Sequence, residues 1–448
     1  WLGSPEAEAV ASQVIGIALV ESHAHDKLAH LTDRIGARLS GSPQLDEAVK
    51  WAAAEFTRDG LHPVWRERVM VPHWRRGDEA AWVVSPVRRK MALTTLGGSV
   101  GTPEGGLRAE VIEVHGFEEL EAAGEAVRGK FVLFAHEMRR NGQDEFGYGN
   151  GARMRVAGPV EAAKRGAVGM LIRSLGTASY RLPHTGMTRY ADDVDKIPAA
   201  ALAVEDALLI HRLLAAGERV EVELTLGAKM LPDAPSANVL AELRGRERPD
   251  EVVVIGGHLD SWDVGAGAID DGAGCAIVME SLRLLAKHHL VPRRTIRAVL
   301  FTNEENGLRG GRDYAKRHED EMPNHVAAIE SDSGGGTPLG FRVTSGEGGA
   351  EVVQRIARYL SVIGADEVGS PGGGADVGQM QRFGVPLLGL RPDTTYYFDY
   401  HHTDADTLDK VNRADLDRQV AAMMWMAYAL AEIDTPLPRV PPGADSGE

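Results

Sequence analysis

Residues 251–274, EVVVIGGHLDSWDVGAGAIDDGAG, concentrate the side chains best suited to chemistry. A Val/Ile-rich run of buried-strand composition, Val252 to Ile255, breaks at Gly256-Gly257 and delivers His258-Leu259-Asp260. Twelve residues past the histidine comes Asp270-Asp271, opening a helix whose first turn holds Gly272 and Gly274. An imidazole and carboxylates at one strand end are how a metal site is built on an α/β sheet. Further strand ends supply the same kinds of group: Glu304-Glu305, then Asp332, then His402. Singly, each has a plain reading as a satisfied polar residue or a solvated helix start. Together they form a set that two zinc ions could share. Such a pair needs a carboxylate reaching both metals, further His or carboxylate ligands, an open position for water and one carboxylate left to move a proton.

The elements that must position these groups alternate along the C-terminal half. Strand 251–258 precedes a helix with Cys275, Val278, Met279, Leu282, Leu285 and Ala286 on one apolar face. Cys275 lies on that face and reads as core packing, which leaves no nucleophilic thiol. Strand Thr295–Thr302 leads to the Glu pair, strand Val326–Ile329 to Asp332, and strand Val385–Leu390 precedes a final helix Ala414–Ile433. This rhythm predicts an α/β fold whose mixed, mostly parallel sheet is sandwiched by helices. Residues 5–60 read as helices, and His23-Ala24-His25 there as surface histidines. From about Thr95 short β pieces alternate with small helices around a Gly-, Asn- and Arg-rich loop, Arg139 to Arg155. His136-Glu137 begins like an H-E-x-x-H zinc helix, but Arg140 occupies the second histidine position.

The chain has 448 residues, 49 basic and 65 acidic, for a net charge of −16. That length favours more than one core, and so acidic a surface disfavours nucleic acid and anionic membrane as partners. The single cysteine excludes an intrachain disulfide. The longest apolar run, Val420 to Ala431, is too short to span a bilayer. A first residue Trp1 in place of Met is read as the mark of a removed leader, and the expected compartment is secreted or periplasmic.

HLDSWDVGAGAIDDGAG, FTNEENG, ESDSGG and HHTDADT resemble the motifs of the co-catalytic zinc exopeptidases, a group that includes glutamate carboxypeptidases, bacterial leucyl aminopeptidases and transferrin receptors. SYRLPHTGMTRY, KIPAAALAVEDA and GAKMLPD extend the resemblance to the glutamate carboxypeptidase branch. GKFVLF and EAAKRGAVGMLI resemble a protease-associated β/α module, placed at 95–231 between catalytic segments 1–94 and 232–448. The resemblance implies that Asp270 bridges two Zn²⁺ ions, with His258 and Asp332 on one and Glu305 and His402 on the other. It implies Glu304 as the base that activates the attacking water, and Asp260 as the group that fixes His258 through its far ring nitrogen. His401 would hydrogen-bond the developing oxyanion and Asp406 would anchor the loop. Asp376, in a glycine-rich loop, reads either as substrate-facing or as a turn carboxylate. The implied activity is hydrolysis of short peptides, dipeptides with a free amino end above all, in a homodimer whose insert covers the cleft; deleting 95–231 should then either unfold the protein or widen its substrate range. Two alternatives use related scaffolds: a transferrin-receptor-like binding protein, which would be expected to lose ligands or base, and glutaminyl cyclase, which would use one zinc.

Overall fold

The computed structural model describes residues 1–140 and 146–441. The chain folds as two compact units, Trp1–Val71 with Ala234–Thr394 and Asp406–Glu448, and Pro72–Asp233 with Thr395–Ala405. The sequence-based borders lie at 94/95 and 231/232. The strand Lys229–Leu243 runs straight through the second of these, and Pro232 and Pro235 lie within it. Both precede Val239, where pairing with Arg294–Phe301 begins, so neither ring displaces one of those ladder bonds.

The first unit is built on an eight-stranded mixed sheet. Its centre is parallel: Arg248–His258 lies between Arg294–Phe301 and His325–Glu330, and Leu387–Pro392 extends it beyond the latter. Antiparallel partners, Lys229–Leu243 and Pro338–Thr344, flank that centre. Alternate side chains of the central strand go to opposite faces. Val252 and Val254 join a core with Phe301, Tyr314 and Met380. On the other face the helices Pro5–Glu21, Ala273–Lys287 and Arg413–Glu432 pack together. From Gln419 to Glu432 the last helix is buried on every side, which its Met-, Ala- and Trp-rich sequence permits.

The second unit has its own eight-stranded sheet. Leu107–Val114, Phe131–Phe134, Gly169–Arg173 and Ala199–Leu202 run parallel, and Glu221–Leu226 pairs antiparallel with the first of them. Phe134 and Met170 fill one core, Phe131 and Leu171 the other. The loop expected over Arg139–Arg155 is partly a helix, Tyr148–Ala163; residues 141–145 of that loop lie outside the described residues. Gly149, Gly151 and Gly158 masked the periodicity there; a Cβ on Gly151 would collide with Leu175, and one on Gly158 would sit tightly against Phe134 and Met170.

Candidate metal centre

Strand register brings the site together. His258 pairs with Phe301 and Gly256 with Glu330, so three neighbouring parallel strands end at one level. Glu304-Glu305 follow the first partner and Asp332 follows the second. The His258 ring is buried, with Nδ1 3.0 Å from the backbone carbonyl of Asp260. A carbonyl only accepts, so Nδ1 carries the proton and Nε2 is the free ligand atom. That Nε2 lies 3.0 Å from Asp270 Oδ1 and 3.4 Å from Asp332 Oδ1. Burial opposes a charged imidazole, but the carboxylates of Asp332, Asp260 and Asp270 outweigh it and hold the ring well above its usual pKa. A proton and a divalent cation therefore compete for the same nitrogen.

Asp270 and Asp271 precede the helix, which begins at Ala273; the expected first turn at the acidic pair is instead non-helical backbone (φ −136° and −128°). This directs the two carboxylates apart. Asp270 meets His258 Nε2, whereas Asp271 accepts the backbone N–H of His258 at 2.9 Å and of Gly274 at 3.0 Å. The glycines make room for it. A Cβ on Gly257 would lie 2.6 Å from Asp271 Oδ2, and one on Gly274 would lie 2.0 Å from the Ser331 carbonyl.

Asp260 is where the sequence placed it, but a different atom touches His258. Its carboxylate stands 3.8 Å from Nδ1, too far for a hydrogen bond. Its oxygens instead accept the backbone N–H groups of Glu304 at 3.0 Å and Glu305 at 3.3 Å. Asp260 thus orients the ring with its carbonyl and shapes the Glu-Glu turn with its side chain. Burial pushes both glutamates well above the ordinary carboxylate range, reinforced at each by Asp332 and Asp270, at Glu304 also by Glu305 and at Glu305 also by Asp260. Asn303 begins that turn in the left-handed region (φ 64°), which asparagine tolerates better than most non-glycine residues.

Two anchors hold the loop between His258 and Asp270. Asp406 Oδ1 accepts the N–H groups of Ala268 and Ile269 at 2.8 and 2.7 Å, and burial pushes its carboxyl up to about 7. Sequence reasoning missed the other. Arg38 is fully buried and donates to the carbonyls of Leu259, Gly36, Ala266 and Gly267. The only trace in the sequence was an arginine soon after the Ile35-Gly36 helix stop.

In the second unit, His401 and His402 lie beside His184, with ligand atoms of the three buried rings within 4.8 Å of one another. His402 Nδ1 is 3.3 Å from the Thr185 carbonyl, so it carries the ring proton, as Nδ1 of His258 does.

Peptidase family M28 matches residues 238–427. Mouse (Mus musculus) carboxypeptidase Q is 39% identical over 96% of this chain and 91% of its own length; the human protein is 38% identical over 96% and 90%. The chain belongs to peptidase family M28. As a member it is a zinc-dependent exopeptidase. The crystal structure of a peptidase M28 precursor from Shewanella amazonensis SB2B superposes with a TM-score of 0.94 at 40% identity, covering 98% of this chain and 99% of that one. A zinc aminopeptidase from Bacillus subtilis shares the fold, with a TM-score of 0.68 at 21% identity over 92% and 96%.

The donor set suits an M28 metal. His258 Nε2 faces carboxylate oxygens of Asp270 and Asp332, and Asp271 lies within 4.8 Å of the same group with its oxygens held by backbone N–H groups. Nitrogen and carboxylate oxygen are the atoms zinc takes. Carboxylates of Asp270, Asp271 and Asp332 crowd one histidine, and a divalent cation would relieve their mutual repulsion. The remaining candidates are structural. Asp376 is buried and accepts the Gly311 N–H at 3.1 Å, as a turn carboxylate does. Cys275 donates its thiol to the His258 carbonyl, and burial pushes its pKa well up, so no thiolate forms. His23 pairs with Asp26 and His25 with Arg413 at the surface. His136 contacts the Gly147 carbonyl.

Proposed function

We propose that this exopeptidase holds two zinc ions and hydrolyses short peptides, with preference for dipeptides bearing a free amino end. The main support is that His258 Nε2 faces Asp270 and Asp332, while Glu304 and Glu305 leave an adjacent strand end on a turn shaped by Asp260. In this reading Asp270 would be shared between the ions, His258 and Asp332 would hold one, and Glu305 with His402 would hold the other. Zinc, when bound, polarises the scissile carbonyl and acidifies the attacking water. Glu304 takes the proton from that water and hands it to the leaving amine. Burial holds this carboxyl above its ordinary range, which makes it a stronger proton acceptor than a free carboxylate. His401 donates a hydrogen bond to the oxyanion. Residues 95–231 serve as a protease-associated module, the working state is a homodimer, and the compartment is extracytoplasmic.

Metal analysis of wild type and Glu304→Gln, with a dipeptide panel, tests the proposal. Two zinc equivalents are expected in both proteins, with activity reduced by about 10²–10⁴-fold in the variant. One equivalent in the wild type, or an active Glu304→Gln, would refute it.

A further inference from the structure

His184-Thr185, in the stretch SYRLPHTGMTRY, has no part in the chemistry above, yet it grips His401-His402 at several points. The Thr185 N–H donates to the His402 carbonyl at 2.9 Å, and the Thr185 carbonyl meets His402 Nδ1 at 3.3 Å. His184 Nε2 lies 3.1 Å from His401 Nδ1, and the His184 and His402 rings stack with centroids 5.1 Å apart. All three rings are buried. The grip is anchored in turn: Ser174 Oγ accepts the His184 N–H at 2.9 Å and donates to the Leu202 carbonyl at 2.7 Å. His402 also sits at φ 57°, a left-handed conformation that a non-glycine residue keeps only when its surroundings impose it.

We propose that His184-Thr185 is the positioning pair for His401-His402, Thr185 directing His402 Nε2 outward as a ligand and His184 setting the ring and tautomer of His401. This rests on the reading of His402 as a zinc ligand and His401 as a donor to substrate. One proton lies between His184 Nε2 and His401 Nδ1, so the protonated nitrogen of either ring determines that of the other. That contact takes up Nε2 of His184. Deleting 95–231 would then remove a support of the chemistry, and a widened substrate range is no longer the expected result.

The test compares His184→Leu with His184→Gln, whose amide places a polar nitrogen near the position of Nε2. Both should fold and bind as many zinc equivalents as the wild type. His184→Leu should lower kcat by about 10–100-fold with KM little changed, the usual scale for a partner of a site residue. His184→Gln should recover most of that loss. In metal-free, ¹⁵N-histidine-labelled wild type, a scalar coupling across the hydrogen bond should link His184 Nε2 to His401 Nδ1. Absence of that coupling, equal impairment in the two variants, or loss of a zinc equivalent in His184→Leu would overturn the proposal. His401→Phe separates the two readings: full activity there refutes the oxyanion role of His401, while the coupling still reports on the contact.

Discussion

Asp270 and Asp271 are neighbours of identical chemistry with different partners. Asp270 faces the ligand nitrogen of His258, whereas both Asp271 oxygens are consumed by backbone N–H groups. An asparagine at 271 would aim an N–H at one of those donors and leave it buried without an acceptor. Asp271→Asn should therefore destabilise the fold by about 2–3 kcal/mol, the cost of one such buried group, measurable by urea unfolding. Wild-type stability in the variant would show that the two hydrogen bonds carry no weight. The same reasoning explains the glycines at 257 and 274, whose missing Cβ atoms leave space for the carboxylate and its neighbours.

Elements act here mainly by where they end. Parallel register sets His258, Glu304-Glu305 and Asp332 side by side, and the Arg38 and Asp406 contacts hold the connecting loop in place. The strand His325–Glu330 carries a second titratable device at its opposite end. His325 Nε2 is 2.8 Å from the Tyr314 hydroxyl and Nδ1 is 3.0 Å from the Glu321 carbonyl, an arrangement for a neutral ring. Burial pushes its pKa down to about 4. The unfolded chain takes up that proton near pH 6.5 and the folded chain only near 4, so the stabilisation is complete above pH 6.5 and declines as pH falls between those values. The wild type should lose about 3 kcal/mol across this window relative to His325→Gln. Unfolding curves at pH 7, 5.5 and 4.5 for both proteins measure the difference; parallel pH profiles would contradict it.

For the molecule as a whole, a ligand that binds only the folded chain stabilises it by mass action. The carboxylates around His258 should therefore make the metal part of the folding free energy. Chelation with EDTA is expected to lower Tm by several degrees and abolish peptidase activity, with both restored by added zinc. An unchanged Tm would mean that the cluster is stable without its cation. Among the described residues no helix is long and apolar enough to cross a membrane.

Much of this was legible along the chain because it is local. The Val/Ile runs, the acidic pairs after them and the apolar face of the helix from Cys275 each depend on near neighbours, and they placed His258, Asp270, Glu304, Glu305 and Asp332 at strand ends. Other decisions depended on contacts between distant residues. Arg38 meets Leu259 across 221 positions and His184 meets His401 across 217, distances over which periodicity and spacing carry no signal. The resemblance singled out Asp270 of the 270–271 pair, but only the folded chain decided what Asp271 does instead and that Asp260 meets His258 through its carbonyl. Residue type is written in the sequence, but the direction a polar atom faces is set by which backbone N–H groups and carbonyls surround it after folding.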